Sequence, residues 1–202
     1  MDTHVRNGPR LAPLAENDSA ARDPMLDDLV RTLGYRPNAL LTMARRPGLL
    51  APILALVQVA AWSEGVLSPA VRLLLACEAS RGAQCRYTAC HVVHAAHHAG
   101  VAWAKLAALP DYAESPLFDA VERHALAIAT AGSTLPVGDA GPAFAAAEAV
   151  LSEQALIEVV TVIAAFGWFN RWNSLVGTQM EQRPAEAFEH VPWLAALEPG
   201  HV

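Results

Sequence analysis

The chain has 202 residues, 53% hydrophobic and 17% charged, with a formal net charge of −6. That length suits one domain with a sizeable core, and 14 scattered Lys and Arg against 20 Asp and Glu exclude a surface built for nucleic acid or an anionic membrane. The N-terminus mixes charges of both signs with no apolar block behind it, and the longest apolar run, Leu49 to Trp62, contains Pro52 and Gln58 and falls short of the roughly 20 residues that span a bilayer. Neither a leader nor a membrane helix is expected, and the location expected is cytoplasmic.

Residues 1–23, rich in Asn, Asp, Pro and Arg, read as a flexible arm, free or docked on a neighbour. Residues 24–182 read as one helical domain and 183–202 as a C-terminal tail. Met25 to Leu33 predicts a short amphipathic helix closed by Gly34, and Pro37 starts another that Pro47-Gly48 ends after Arg46. Leu49 to Trp62 forms the next. Ser68 caps a helix with Pro69 at its first position, running to about Arg81 before Gly82 turns the chain. Cys85 to Ala99 follows, stopped by Gly100, then a short helix over Val101 to Ala108. Ser115-Pro116 opens a helix that reaches Gly132, Ala143 to Leu151 resumes after a loop, and Ser152 caps a long helix from Glu153 to about Met180. With no alternating strand pattern and no repeat, the fold class is an all-α bundle.

Chemistry concentrates in AQCRYTACHVVHAAHHAG, Ala83 to Gly100, which holds two of the three cysteines and four of the eight histidines. On an ideal helix, positions 85, 88, 92, 95, 96 and 99 share one side and 90, 91, 94, 97 and 98 the other, so Cys85 and Cys90 point apart. A direct disulfide then requires Cys85 to lie in the turn before the helix. Cys77, among leucines, reads as core. Cys90, His94 and His98, with His91 and His97 beside them, could offer nitrogen and sulfur donors to Zn, but one straight helix rarely supplies a whole tetrahedral site and no metal or cofactor is assigned.

Three segments in order, LGYRPNALLTMARRPGLL, LSPAVRLLLACEASRGAQCRYTAC ending at an Ala-Gly pair, and LSEQALIEVVTVIAAFGWFNRWNSLVG, resemble the carboxymuconolactone decarboxylase and alkylhydroperoxidase D-like family over residues 25–180. The Asn170-Arg171 pair belongs to that likeness. The resemblance implies an alkylhydroperoxidase D-like helical bundle, a homo-oligomer, a small-molecule substrate and, for redox members, a dithiol electron donor. Those members carry Cys-x-x-Cys-x-x-x-His with a Glu twelve residues before the first Cys. Carried over without gaps, the first Cys is Cys85, but the other positions fall on Thr88, Val92 and Leu73. A gapped register instead pairs Cys90 with His94 and leaves Glu78 as the carboxylate. The leading expectation is hydroperoxide reduction, with attack by Cys85, resolution by Cys90, His94 as base, and Tyr87 or Asn170 as donors to the leaving oxygen. The alternatives are a non-redox enzyme on a small lactone or carboxylate, using Thr88 and His91, and a non-catalytic scaffold whose histidines bind metal or a partner.

Overall fold

The computed structural model describes residues 8–197. Among the described residues there are ten α-helices, short 3₁₀ turns and no strand, as the all-α reading expects. The helices are α1 (Pro24–Leu33), α2 (Asn38–Met43), α3 (Leu50–Val57), α4 (Pro69–Gly82), α5 (Arg86–His98), α6 (Trp103–Ala107), α7 (Ala120–Gly132), α8 (Gly141–Ala147), α9 (Glu153–Val176) and α10 (Gln182–Ala185).

Their ends follow capping chemistry. Asp23 and Ser68 accept backbone N–H bonds at the starts of α1 and α4, each with Pro in the first turn, and Gly34 closes α1 in the left-handed region at φ 81°. Several expected boundaries move: α2 ends at Met43, α6 is Trp103–Ala107, α8 is Gly141–Ala147, and two further shifts have a plain capping cause. The helix assigned to start at Ser115-Pro116 begins at Ala120, because Asp119 and Glu122 form a reciprocal capping box with bonds of 2.9 Å. The last long helix stops at Val176 rather than Met180, because Gly177 turns left-handed at φ 65° and its N–H, with that of Thr178, bonds back to the Asn173 carbonyl. The run expected as one helix over Leu49–Trp62 loosens into a π turn over Gln58–Trp62, where the Ser63 N–H reaches the Gln58 carbonyl at 2.7 Å. The buried Arg72 guanidinium satisfies the Val59 and Ser63 carbonyls freed there.

Helix α4 is the axis of the bundle and packs against α5, α7 and α9. Every residue from Arg72 to Ser80 is buried, so this helix is apolar almost all round, and its one carboxylate, Glu78, is held by Arg81 and Thr130. Helix α9 is long and apolar enough to cross a membrane by length and composition, a property absent from the sequence reading. It lays Ala155, Val159, Val162, Phe166 and Phe169 into the core, with Asn170 and Asn173 on the same buried side.

Both ends of the described chain pack on the bundle. From residue 8 onward the arm docks on its own bundle: the Arg10 N–H donates to the Val176 carbonyl at 2.7 Å, the Arg45 guanidinium donates to the Ala12 carbonyl at 2.9 Å, and Ala21 is fully buried. The segment assigned as tail forms α10 and two 3₁₀ turns with Pro184, Ala187, Val191 and Leu194 buried. It folds back across α5. That cover explains why the histidine-bearing side of α5 is not a solvated face: Cys90 and Val93 are fully buried and His94 is 7% exposed.

Candidate active site

The site begins in the α4–α5 turn. Gly82 does not supply the left-handed residue; it stays helical, and a Cβ there would lie 2.0 Å from Ser133 Oγ. Gln84 makes the turn instead, at φ 54°, a conformation that costs a non-glycine residue energy and is often kept where a functional group must be aimed. The next residue is Cys85. It is the N-cap of α5 with extended backbone, φ −93° and ψ 90°, and its N–H bonds back to Ser80 at 3.1 Å. The expectation of a helix starting at Cys85 is thus corrected by one residue, and that residue matters. The thiol stands at the positive end of a thirteen-residue helix, where developing negative charge is favoured.

Cys85 Sγ lies 3.1 Å from Thr88 Oγ1, and Asn173 Nδ2 donates to the same hydroxyl oxygen at 3.0 Å. Cys90 is a free thiol whose pKa is pushed up to about 12, first by burial, with Arg86 pulling the other way and Cys85 adding to the rise. Cys77 is fully buried and held protonated by burial and the charge of Glu78, which suits its reading as core.

A carboxylate–histidine pair stands beside the thiols, but it is neither Glu78 nor His94. Glu181, in the stretch between α9 and α10, accepts from Tyr87 Oη at 2.8 Å, from His91 Nε2 at 2.8 Å and from the Asn38 N–H. Burial alone would raise its pKa. The bond and charge of His91, with the Asn38 and Tyr87 bonds, outweigh burial and hold it below the ordinary carboxylate value. An ionised carboxylate only accepts, so Nε2 of His91 carries a proton. In the neutral ring Nδ1 then accepts from the Tyr35 hydroxyl at 2.9 Å. Tyr87 stacks on His91 with ring centroids 4.1 Å apart, takes the Ala39 N–H at 3.1 Å, and stays a phenol because burial and then the charge of Glu181 push its pKa up.

His94 sits edge-on to Tyr35 and His98, with centroids 5.7 Å and 4.5 Å away. Its Nε2 is buried without a hydrogen-bond partner. Burial and then the charge of His98 lower its pKa, against a backbone bond to Leu33, which leaves a neutral ring with an open lone pair. Glu78, the carboxylate of the gapped register, is spent in the core: Arg81 grips both its oxygens at 2.7 and 2.8 Å, and Thr130 donates at 2.8 Å. Asn170 reaches the Ala79 carbonyl of α4 at 3.3 Å. Among the described residues no group of three His, Cys, Asp or Glu side chains is placed to hold a metal ion.

An apolar cavity of about 100 Å³ opens against the first turns of α5. Leu33, Leu40, Leu73, Phe166 and Phe169 give it an apolar body, and Tyr87, Thr88, His91 and Asn173 give it one polar edge. Phe169 therefore lines the cavity, whereas Trp168 and Trp172 stack on each other at 5.4 Å outside it. Cys85 lies one hydrogen bond behind Thr88. Sequence reasoning missed Tyr35, Glu181 and Asn173. Only Asn173 left a local signal, as a polar residue one turn after Asn170 on an otherwise apolar helix face.

A thiol at a helix N-terminus, a second buried thiol five residues on and a carboxylate–histidine pair thus share one region of an alkylhydroperoxidase D-like helical fold. Residues 47–131 match the model of the carboxymuconolactone decarboxylase family, the family that the sequence resembles. Among solved structures, the debrominase Bmp8 in its apo form shares 29% identity over 94% of this chain and 98% of its own, with a TM-score of 0.81. A cysteine-to-alanine variant of Bmp8 in complex with 2,3,4-tribromopyrrole gives 28% identity over 94% and 97% and a TM-score of 0.82. The alkylhydroperoxidase AhpD core of an uncharacterized peroxidase-related protein from Ralstonia eutropha JMP134 shares the fold at 18% identity, over 86% of this chain and 94% of its own, with a TM-score of 0.69. No curated protein matches the chain.

Proposed function

We propose that the chain is a dithiol-dependent reductase of small apolar electrophiles, and that its substrate is a halogenated aromatic ring. The observation that carries this reading is the thiol of Cys85 at the helix N-cap, one hydrogen bond behind the polar edge of an apolar cavity. At about 100 Å³ the cavity is apolar like the roughly 150 Å³ cavities that take up benzene but smaller, so a halogenated ring enters only as the apolar walls yield. The likeness to a debrominase supports the halogenated class, and the complex of its cysteine variant with a bromopyrrole supports a role for a thiol in such a protein.

The Cys85 thiolate attacks the halogen. A sulfur–halogen bond forms as the carbon–halogen bond breaks, and the ring carbon keeps the electron pair and takes a proton from the His91 edge of the cavity. Cys90 then attacks the Cys85 sulfur, forming a disulfide and expelling halide. Its high pKa calls for a base at that moment, and the open Nε2 of His94, one turn further on, is the base on the same side of the helix. The ring has gained two electrons, the thiols have lost two, and an external dithiol restores them. Hydroperoxide reduction uses the same machinery with a peroxide oxygen in place of halogen and an alcohol as product.

The test incubates the purified chain with a series of brominated pyrroles and dithiothreitol, reading bromide by ion chromatography and the ring by mass spectrometry. Bromide release matched by ring debromination, and lost in Cys85→Ser, is the expected result. Turnover that persists in Cys85→Ser overturns the thiol mechanism. Consumption of cumene hydroperoxide with bromopyrroles untouched moves the chain to the peroxidase reading.

A further inference from the structure

We infer that Asn173, on α9, is a positioning residue that turns the Thr88 hydroxyl into a hydrogen-bond donor to the Cys85 sulfur. This rests on the reading of Cys85 as the attacking thiol and adds how its thiolate is made. Three bonds form one directed chain. The Thr178 hydroxyl donates to Asn173 Oδ1 at 2.8 Å, Asn173 Nδ2 donates to Thr88 Oγ1 at 3.0 Å, and Thr88 Oγ1 lies 3.1 Å from Cys85 Sγ. A hydroxyl has a single proton. With its oxygen already accepting from the amide, that proton is free for the sulfur, and a thiolate is the stronger acceptor for it.

Asn173, Thr88 and Cys85 are each 4% exposed, so water does not compete for these bonds. Cys85 itself makes no side-chain cap bond to the backbone at the start of α5, which leaves Thr88 as its directed polar partner. The chain also joins α9 to the first turn of α5, so packing of the two helices sets the orientation. Thr88 occupies the place where the family's redox motif has its second cysteine, and a donor there exchanges a resolving thiol for a group that stabilises the attacking one.

The test measures the pH dependence of Cys85 alkylation by iodoacetamide, site by site by peptide mass spectrometry, in the intact chain. Thr88→Val is nearly isosteric and removes the hydroxyl. Asn173→Asp keeps the shape and reverses the chain, because a carboxylate accepts the Thr88 proton and withdraws it from sulfur. Both raise the Cys85 midpoint by about one pH unit, a tenfold loss of thiolate at fixed pH below it. Thr88→Ser, which keeps the hydroxyl, restores the midpoint. The charged and titratable groups on the elements around the thiol stay in place in every variant: Arg72, Cys77, Glu78 and Arg81 of α4, Arg86, Tyr87, Cys90, His91, His94, His97 and His98 of α5, Glu153, Glu158 and Arg171 of α9, and Tyr35, Lys105, Glu181 and Glu186 beyond them. A midpoint unchanged in Thr88→Val overturns the inference, whatever the fate of Asn173→Asp, while the mechanism of Cys85 stands or falls separately on turnover by Cys85→Ser.

Discussion

Replacing Glu181 by Gln removes one charge and almost no volume. In the native site Oε1 accepts from the Asn38 N–H and Tyr87 Oη, and Oε2 accepts from His91 Nε2. The glutamine oxygen can keep the first two bonds, but its NH₂ then meets a protonated Nε2, and His91 must move its proton to Nδ1 and donate to Tyr35 instead. Three charge-assisted bonds become neutral ones. Each loses on the order of 0.5–1.5 kcal/mol, and relief from burying a charge returns part of that, so the net loss is about 2 kcal/mol. For a chain of this size the melting temperature falls by roughly 4–8 °C. Because the folded-state pKa of Glu181 is depressed, its contribution is present above the ordinary carboxylate pKa and is lost as pH falls through the lowered value. Urea unfolding of both proteins at neutral pH and at successively more acid pH should show midpoints that differ at pH 7 and converge in acid. Equal midpoints at pH 7, or a gap that persists after the carboxyl is protonated, refutes the assignment of Glu181 as the ionised anchor of the site.

Glu78→Ala leaves Arg81 and Thr130 facing an emptied buried position and lowers stability by about 3–5 kcal/mol, read by urea titration, without a specific change in the alkylation of Cys85. Gly82→Ala drives a Cβ into the Ser133 side chain and costs about 1–3 kcal/mol, and Ser133→Gly in the same chain recovers most of it in a double-mutant cycle. With a pKa near 12, Cys90 resists alkylation at neutral pH and gains reactivity only in strong alkali, which a pH series with mass-spectrometric mapping will follow. Oxidation that joins Cys85 to Cys90 must open the first turn of α5, because five residues along an ideal helix separate Cα atoms by roughly 8–9 Å, beyond the span of a relaxed disulfide. Hydrogen exchange at Tyr87 to Cys90 should therefore speed up in the oxidised protein and return to its reduced rate with dithiothreitol.

Helix existence was legible wherever a cap and an apolar period agreed, as at Ser68-Pro69, Gly34 and Ser152. It was misread where a stronger local device competed. Ser115-Pro116 looks like a helix start, yet Asp119 with Glu122 satisfies two orphan N–H groups at once and wins. The apolar period of α9 invited reading through Gly177, whose left-handed turn decides the end. Around the cavity, Cys85, Cys90, Thr88, Tyr87 and His91 could be named together from the sequence because one helix and its N-cap carry them all. Tyr35 and Glu181 were not, since their bonds to His91 span 56 and 90 residues and no spacing rule reaches that far. Assigning Glu78 as the carboxylate failed for a related reason: proximity along the chain put it near the thiols, but its side of α4 faces Thr130 of α7.

The division of labour between segments follows from that geometry. Residues 47–131 hold α4 and α5, and with them the thiols, Thr88 and His91. The groups that finish the site come from outside: Tyr35 and the leucines of α1 and α2 on one side, Phe166, Phe169, Asn173 and Glu181 on the other. A thiol at a helix N-cap suits any electrophile that can reach it, so on the proposed function the matched segment sets the kind of bond broken and the flanking residues set which molecule is admitted. Substitutions at Leu33, Leu40 or Phe166 should then alter KM among bromopyrroles of different bulk while leaving the alkylation midpoint of Cys85 in place, whereas Thr88→Val should do the reverse. If enlarging the cavity at Phe166 shifts the Cys85 midpoint as much as it shifts KM, the wall and the nucleophile are not separable and this partition fails.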